Sequence, residues 1–250
     1  MTTPTAPAAP APAGGRGRAP WSTSAVVVAV LVAFGLGTAL GAALQRDAGR
    51  TAADTGSVGT VSATRDLSDL PRREEGDPLA MGDVDAPVVI IEYADFRCGY
   101  CGAFSEVTLP ELVRDYIDTG KVRFEWRDAP VLGVESVQAA VAGRAAAEQD
   151  LFWEYAHVVY HHTYSGAGDH SRETLVALAG QVEGLDVEAF DAALDDPALT
   201  QAVAREAQQT SALGITSTPT FVVGDQVVQG AQPVEVFRQA IDAQLAAAQE

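Results

Sequence analysis

The spacing of hydrophobic and polar residues changes several times along the chain. The first change is from a strand pattern to a helix pattern. Residues 88–93, VVIIEY, are apolar and β-branched apart from one carboxylate, which predicts a buried strand. A helical pattern follows over about 101–117, and Pro110 predicts a kink or a break within it. Residues 121–126, KVRFEW, then alternate with period two, as in a second strand. This order predicts a β-α-β unit.

A long helical block separates this unit from the C-terminal elements. The apolar spacing over about 134–213 predicts five helices, located over 135–149, over 150–164, and from Ser171, Asp186 and Pro197 onward. Serine is a suitable N-cap, and proline is favoured in the first turn of a helix. The block is therefore predicted to be an all-helical insertion.

A hairpin and one more helix close the chain. Residues 220–223 and 226–229 are joined by Gly224-Asp225, which is a strong hairpin signal. The last helix is amphipathic, with its apolar side formed by Val236, Phe237, Ile241 and Leu245. Two α/β parts with helices inserted between them predict the α/β fold class.

The N-terminal part of the chain has a different composition. Residues 1–24, rich in Pro, Ala and Gly, are predicted to be a disordered tail. Residues 25–44, AVVVAVLVAFGLGTALGAAL, carry no charge and predict a single transmembrane helix, since about 1.5 Å per residue suffices to cross a bilayer. Residues 45–76 are polar and predict a flexible tether, which leaves the globular domain over 77–250.

Two arginines set the orientation predicted for the apolar segment. Arg16 and Arg18 are the only charges before it, so its N-terminal side is expected in the cytoplasm. The alternative is a signal peptide cleaved within the small-residue stretch 38–43. Both interpretations place the domain outside the cytoplasm, where disulfides persist. The first one predicts a single-pass protein of the bacterial cell membrane.

The net charge excludes one class of partner. The chain has 16 Lys and Arg against 34 Asp and Glu, a net charge of −18. Because residues 1–44 hold two of the arginines and no acidic residue, the exported remainder is more acidic still. Such a surface repels a polyanion, so nucleic acid is excluded as a partner.

The only two cysteines, Cys98 and Cys101, form a C-x-x-C motif where the first strand meets its helix. Such a pair can close on itself, attack another protein's disulfide, or supply half of a zinc site. With no third cysteine, a zinc site of three or four thiolates is excluded. His157 and His161 have i,i+4 spacing, but no third ligand is in obvious register, so neither a metal nor a cofactor is predicted.

The position of the motif predicts unequal thiols. At a helix N-terminus, Cys98 is expected to have a lowered pKa because the exposed N–H groups favour a thiolate, and Arg97 is expected to add to this effect. Cys101, one turn further on, is predicted to be the more buried resolving thiol. The competing interpretation is an inert disulfide that braces the fold.

Two further places are candidates for the same chemistry. Glu92, in an otherwise apolar strand, predicts a desolvated carboxyl with a raised pKa that relays a proton to or from Cys101. The alternative leaves Glu92 at the rim of the strand, and Asp95 is interpreted as loop. A cis Thr218-Pro219 bond would turn the Thr218 backbone toward the cysteines, although a trans proline is also allowed at a strand start.

Three segments together carry a resemblance to a known family. They are GDVDAPVVIIEYADFRCGYC at 82–101, AAAEQDLFWEYAHVVYHH at 145–162 and ALGITSTPTFVVGDQVVQGAQPVEVF at 212–237. In this order they make 77–248 resemble the DsbA-like thioredoxin-fold family, nearest the membrane-anchored BdbD-type thiol-disulfide oxidoreductases of bacteria with one membrane. The resemblance implies a thioredoxin fold with a helical insertion.

The resemblance also implies residue roles. Cys98 matches the nucleophile and Cys101 the resolving thiol. Pro219 matches a cis-proline, and the residue before it, Thr218, matches a position that lines the substrate site. Glu92 matches the acidic position that the wider superfamily keeps beneath the disulfide.

The dipeptide between the cysteines departs from the pattern. Many relatives carry proline directly after the first cysteine, and the strongest oxidants often carry histidine before the second, whereas this chain has Gly99-Tyr100. The dipeptide is a main control on redox poise, so the direction of electron flow stays open. With Arg97 and Thr218, these two residues are predicted to contact substrate, Tyr100 through an apolar contact with an unfolded client.

The leading hypothesis is an extracytoplasmic enzyme that oxidises cysteine pairs in exported client proteins. The family implies reoxidation by a quinone-linked membrane enzyme of the DsbB or VKOR kind. One alternative is a membrane-tethered reductase, for example in cytochrome maturation. Another, from a different class, is a redox-silent binding module. The single catalytic domain predicts a monomer.

Overall fold

The computed structural model describes residues 67–249. Its centre is one sheet of five strands in the order β1-β3-β2-β4-β5, in which only β2 and β3 are parallel. The strands are β1 Ala80–Met81, β2 Val88–Ala94, β3 Val122–Asp128, β4 Thr220–Val223 and β5 Gln226–Gln229. The predicted strands and the hairpin are thereby confirmed, and β2 lies in the middle of the sheet.

Eight α-helices complete the described part of the chain. They are α1 Gly99–Ala103, α2 Leu109–Leu112, α3 Val134–Ala147, α4 Phe152–Tyr164, α5 Arg172–Ala179, α6 Val187–Ala193, α7 Pro197–Ala212 and α8 Val234–Ala247. The five from α3 to α7 lie between β3 and β4, which confirms the all-helical insertion. Ser171, Asp186 and Asp196 cap α5, α6 and α7, each accepting a hydrogen bond from a backbone N–H of the first turn.

The helical run after Gly99 is interrupted, as Pro110 predicts. Two π-helical segments, Phe104–Thr108 and Val113–Ile117, flank the short α2. Proline has no N–H to donate to the preceding turn, and the backbone widens there, with the N–H of Leu109 reaching the carbonyl of Phe104 five residues back. This widened stretch borders a cleft that matters for the site.

The sheet is covered on both faces. On one face, aromatic rings of the strands meet Phe104 and Phe237 from the helical run and from α8, at ring-centroid distances of 4.4 to 6.1 Å. On the other face, Val89, Ile91 and Tyr93 pack with Val222, and Leu67 and Leu70 lie against them. The insertion has its own core, which also takes in Phe96, Trp126, Cys98 and Cys101.

The alternation in β3 does not place its polar side chains in solvent. All seven residues of β3 are buried, including Arg123, Glu125 and Arg127. The cover comes from residues 72–77 and from α7, which contribute Arg72 and Glu206 to a network of buried charges. The described part of the predicted tether, 67–76, is thus packed against the sheet.

The predicted tail, 1–24, and the predicted transmembrane helix, 25–44, lie outside the described residues, as does the tether up to residue 66. Within 67–249, no helix is both long enough and apolar enough to cross a bilayer. The division of the chain at these boundaries stays a prediction.

Candidate active site

The loop after β2 holds Cys98 at the start of α1. Asp95 organises this loop, because its carboxylate accepts hydrogen bonds from the N–H groups of Arg97 at 2.9 Å and Leu132 at 3.1 Å. The carbonyl of Asp95 also accepts from the N–H of Cys98 at 3.0 Å. Cys98 is therefore the N-cap residue of α1, in extended conformation, as its position after the strand predicts.

The two thiols differ in exposure and are not bonded to each other. Cys98 is 8% exposed and Cys101 is 0% exposed, so Cys98 is the one of the two that has any exposed surface. This order confirms that Cys101 is the more buried of the two. Its depth follows from helix geometry, because a residue one turn into α1 points back toward the insertion core.

Hydrogen bonds stabilise a thiolate at Cys98. They lower its pKa to about 6, the largest contribution being the bond from the Cys101 thiol. Burial opposes this effect, and the side chain of Thr218 and the N–H groups of Cys101 and Tyr100 reinforce it. The backbone donors are those of the first turn of α1, which confirms the predicted effect of the helix N-terminus.

The environment of Cys101 has the opposite effect. Burial raises its pKa well above the usual value, and the hydrogen bond that it donates to Cys98 and the charge of Glu92 raise it further. At neutral pH the pair is therefore one thiolate and one thiol. The asymmetry is what a pair needs if one sulfur attacks first and the other waits.

The Thr218-Pro219 bond is cis, as the resemblance implies. When Cys98 is protonated, its thiol donates to the carbonyl oxygen of Thr218 at 3.3 Å, across 120 positions of sequence. The structure therefore brings Cys98, Cys101, Thr218 and Pro219 together at one place. Their roles in binding and catalysis stay predictions.

Glu92 lies within the protein interior and not at a rim. It is 2% exposed, and in the sheet it stands between Trp126 of β3 and Phe221 of β4. Burial raises its pKa well above the usual value, and the charge of Cys98 adds to the effect. Its Oε1 atom has no hydrogen-bond partner among the described residues. The expected raised pKa is confirmed, while the proton relay stays a prediction.

Arg97 has partners of its own beside the motif, and its predicted effect on the pKa of Cys98 stays a prediction. Its guanidinium donates to the carbonyl of Leu132 at 2.7 Å and forms an ion pair with Glu135 at 2.8 Å. A neighbouring carboxylate offsets its charge, and hydrogen bonds lower the pKa of Cys98. Arg97 therefore braces the loop beside the motif.

The dipeptide of the motif lies at the surface. Tyr100 is 72% exposed, and a Cβ added at Gly99 would meet no other atom within 4 Å. Leu132, which is 48% exposed, lies on the loop that Asp95 ties to the motif. An apolar and open rim therefore surrounds the approach to Cys98, although contact of Gly99, Tyr100 or Arg97 with substrate stays a prediction.

Sequence reasoning missed two residues that the structure adds. Asp95, interpreted only as loop, positions the motif, and an Asx residue just before a helix start is the signal that points to it. Tyr160 of α4 is fully enclosed near the cysteines, with its ring 5.1 Å from Phe96 and 5.9 Å from Trp126 between centroids. Its sequence signal is indistinguishable from that of an ordinary core tyrosine.

Comparison with known proteins agrees with this site. A family model described as Thioredoxin matches residues 74–243. The chain is 28% identical over 170 residues to a probable disulfide bond formation protein D of Bacillus cereus, which covers 66% of this chain and 78% of that protein. It is also 32% identical over 169 residues to the Na(+)/H(+) antiporter NhaA 3 of Salinispora tropica, covering 67% of this chain but only 24% of the antiporter.

A solved structure matches the same region. The crystal structure of oxidised BdbD from Bacillus subtilis superposes with a TM-score of 0.63 at 25% identity, covering 68% of this chain and 94% of BdbD. With the paired thiols of unequal pKa, these relatives support thiol-disulfide oxidoreductase activity. The match over 74–243 shows that the chain belongs to the thioredoxin family.

Proposed function

We propose that this protein is an extracytoplasmic thiol-disulfide oxidoreductase that oxidises cysteine pairs in exported client proteins. The observation that carries the proposal is the thiolate-stabilising site at Cys98, whose pKa is lowered to about 6 beside a protonated Cys101. A site that stabilises the reduced pair makes the disulfide a better oxidant, because reduction then releases more free energy.

The reaction transfers two electrons from the client to the pair. A client thiolate attacks the sulfur of Cys98 in the disulfide, and the Cys98–Cys101 bond breaks, leaving a mixed disulfide and a thiolate at Cys101. The client's second thiolate attacks the client sulfur of that mixed disulfide and releases Cys98 as a thiolate. The client is then oxidised and the pair reduced.

Glu92 is proposed to supply the proton that this exchange requires. Because burial raises its pKa, the carboxyl holds its proton more tightly than an exposed glutamate does, and it is proposed to pass that proton to the Cys101 thiolate. When the pair is reoxidised, the carboxylate accepts the proton back from Cys101. Arg97, Gly99, Tyr100 and Thr218 are proposed to line the approach of the client.

A membrane partner is proposed to reoxidise the pair. Oxidation of many clients by one pair requires an electron acceptor, and a quinone-linked enzyme of the DsbB or VKOR kind is the class that the family implies. The uncharged segment 25–44 is proposed to anchor the protein in a single pass beside such a partner.

The decisive experiment measures the reduction potential of the Cys98–Cys101 pair against glutathione. A value of about −120 mV would establish a donor of disulfides, whereas about −270 mV would show a reductase. The reductase is the second candidate because Gly99-Tyr100 replaces the dipeptide of the strongest oxidants.

Two cysteine variants test the order of events. Cys98→Ser is expected to abolish oxidation of a reduced dithiol client, since the variant cannot form the disulfide that the client thiolate attacks. Cys101→Ser, mixed with a client that already carries a disulfide, is expected to accumulate a mixed disulfide. The Cys98 thiolate attacks the client disulfide and releases one client thiolate, and no Cys101 thiol remains to release the client. The adduct is visible as a larger species on a non-reducing gel. Unchanged client oxidation by Cys98→Ser would overturn the proposal, and a Cys98 that resists alkylation would favour the redox-silent binding module.

A further inference from the structure

A cleft with a volume of about 370 Å³ opens on the side of the site formed by α2, its flanking π-helical segments and α4. We call it the Glu92 cleft. Its inner end is formed by Glu92, Trp126 and Tyr160, which are 1 to 3% exposed. Its outer end carries His157 and Arg114, whose side chains are 67% and 65% exposed. The cleft therefore runs from solvent to the buried carboxyl.

At the inner end of the cleft, two buried polar atoms have no hydrogen-bond partner within residues 67–249. They are Oε1 of Glu92 and the hydroxyl of Tyr160. Leaving such groups unpaired in the interior is unfavourable, and a water bridging them offsets that cost. The cleft exceeds the roughly 30 Å³ that one water occupies, and Glu92 and Tyr160 both line it.

Tyr160 is held rigidly in this position. Its ring packs against Phe96 and Trp126, and α4 lies so close to α1 that a Cβ on Gly102 would be 3.2 Å from the carbonyl oxygen of Tyr160. Burial raises the pKa of Tyr160 well above its usual value, and the charges of Cys101 and Glu92 raise it further. The hydroxyl thus stays protonated and can only donate or accept hydrogen bonds.

We propose that Tyr160 is a positioning residue whose hydroxyl, together with Glu92, holds a water at the inner end of the Glu92 cleft, and that protons exchanged by Cys101 travel through this cleft. The inference rests on the proposed function and assigns it a proton path. The Cys101 thiolate takes a proton from Glu92, and Glu92 then takes a proton from the bound water. Solvent at the outer end of the cleft returns a proton to that water. During reoxidation the same path runs in reverse, and the oxidation state of Tyr160 does not change.

In this proposal, clients and protons reach the cysteine pair from different sides. A client approaches Cys98 across the rim of Tyr100, whereas protons leave and enter between α2 and α4. Proton exchange can therefore continue while a client covers Cys98. The titratable and charged groups that face this path are Glu92, Asp95, Cys98, Cys101, Arg114, Asp118 and His157.

The test compares Tyr160→Phe with Tyr155→Phe in the full chain. Both changes remove one buried hydroxyl, but that of Tyr155 donates to the carbonyl of Leu175 at 3.3 Å, away from the cleft. Single-turnover oxidation of a reduced dithiol peptide is followed from pH 5 to 9. Tyr160→Phe is expected to slow the Cys101-dependent step about tenfold. The midpoint of the pH profile of the Cys101-dependent step is also expected to move upward. Without the water that Tyr160 helps to hold, the carboxylate of Glu92 lacks a hydrogen bond that stabilises its charged form.

Controls separate this inference from the proposed function. The alkylation rate of Cys98 should be the same in Tyr160→Phe and wild type, and Tyr155→Phe should match wild type in both rate and pH profile. In a Glu92→Gln background, adding Tyr160→Phe should cause no further slowing, since both act on one path.

If Glu92→Gln slows the Cys101-dependent step while Tyr160→Phe leaves its rate unchanged, Tyr160 has no role in the path. If the double variant is slowed by the combined effects of both single changes, the two residues do not share one path. If Cys98 itself fails to exchange with client thiols, the proposed function fails instead.

Discussion

Two glutamates lie buried on neighbouring strands of the same sheet and have opposite environments. Glu125 of β3, 0% exposed, accepts hydrogen bonds from the N–H groups of Arg72 and Arg73 at 2.9 Å. It also accepts from the guanidinium groups of Arg123 at 3.0 Å and Arg127 at 2.7 Å. Glu92 of β2 is equally buried, yet one of its oxygens has no partner among the described residues.

The pKa values of the two carboxyls follow their partners and not their depth. Burial alone would raise the pKa of Glu125, but the backbone and guanidinium donors outweigh it and lower the value to about 2. Nothing of this kind opposes burial at Glu92, and its pKa rises. The difference shows that hydrogen-bond donors, and not depth alone, set the pKa of a buried carboxyl.

Removing the paired carboxylate should have the largest effect on stability. Glu125→Ala leaves Arg123 and Arg127 buried without their shared partner, and we expect a loss of about 3–5 kcal/mol in the free energy of unfolding. Denaturant titration of the reduced protein measures it. The control is Glu135→Gln, which breaks the 2.8 Å ion pair between Glu135 and Arg97. Because the Glu135 side chain is 47% exposed, this change should lower the free energy of unfolding by less than about 1 kcal/mol. Equal losses for both would contradict the distinction.

Neutralising the unpaired carboxyl should have a smaller effect that depends on pH. The folded-state pKa of Glu92 lies above its unfolded value, so wild type loses stability as pH rises from about 4.5 through the folded pKa. The loss amounts to about 1.4 kcal/mol for each pH unit between the two values. Glu92→Gln should therefore match wild type near pH 4 and exceed it at pH 8 in the reduced state.

The sign of that dependence separates the two glutamates. The stability that Glu125 contributes is complete above pH 4.5 and is lost as pH falls toward about 2, which is the reverse of Glu92. Unfolding of Glu92→Gln below pH 4 should consequently follow wild type. A variant that is less stable than wild type at pH 8 would show that Glu92 has a charged-state partner.

The smallest effect is expected at Arg97. Alkylation of Cys98 should titrate with a midpoint near pH 6 in wild type. Arg97→Gln should leave that midpoint within about 0.3 pH units, because Glu135 already offsets the guanidinium charge and the pair is partly exposed. Stopped-flow alkylation with iodoacetamide measures the midpoint. If the midpoint of Arg97→Gln were a full pH unit higher than that of wild type, Arg97 would be shown to stabilise the thiolate.

Sequence patterns over a few neighbouring residues predicted much of the fold. The strands, the five inserted helices, the cap at Ser171 and the interruption at Pro110 depend on neighbours within a few residues, which sequence patterns report directly. The thiol asymmetry was predictable for the same reason, since it arises from a strand, a loop and a helix start in succession.

Contacts across long sequence separations were not predictable from the pattern. Glu206 reaches the N–H of Asp128 at 2.8 Å across 78 positions, so the polar side of β3 is buried although its alternation is typical of a half-exposed strand. Arg97 is adjacent to Cys98 in sequence, yet its partner is Glu135 on another helix. Tyr160 joins the site only because α4 packs on α1. The placement of Thr218 beside Cys98 came from the family resemblance.

The segment before the first strand has a practical consequence. Two of the hydrogen bonds that keep Glu125 ionised come from the backbone of Arg72 and Arg73, and Arg72 also pairs with Glu206 of α7 at 2.9 Å. A shortened protein that starts at residue 77, the predicted edge of the domain, would lack all three contacts. Anyone trimming this chain for crystals or for a redox titration should keep everything from Leu67 onward.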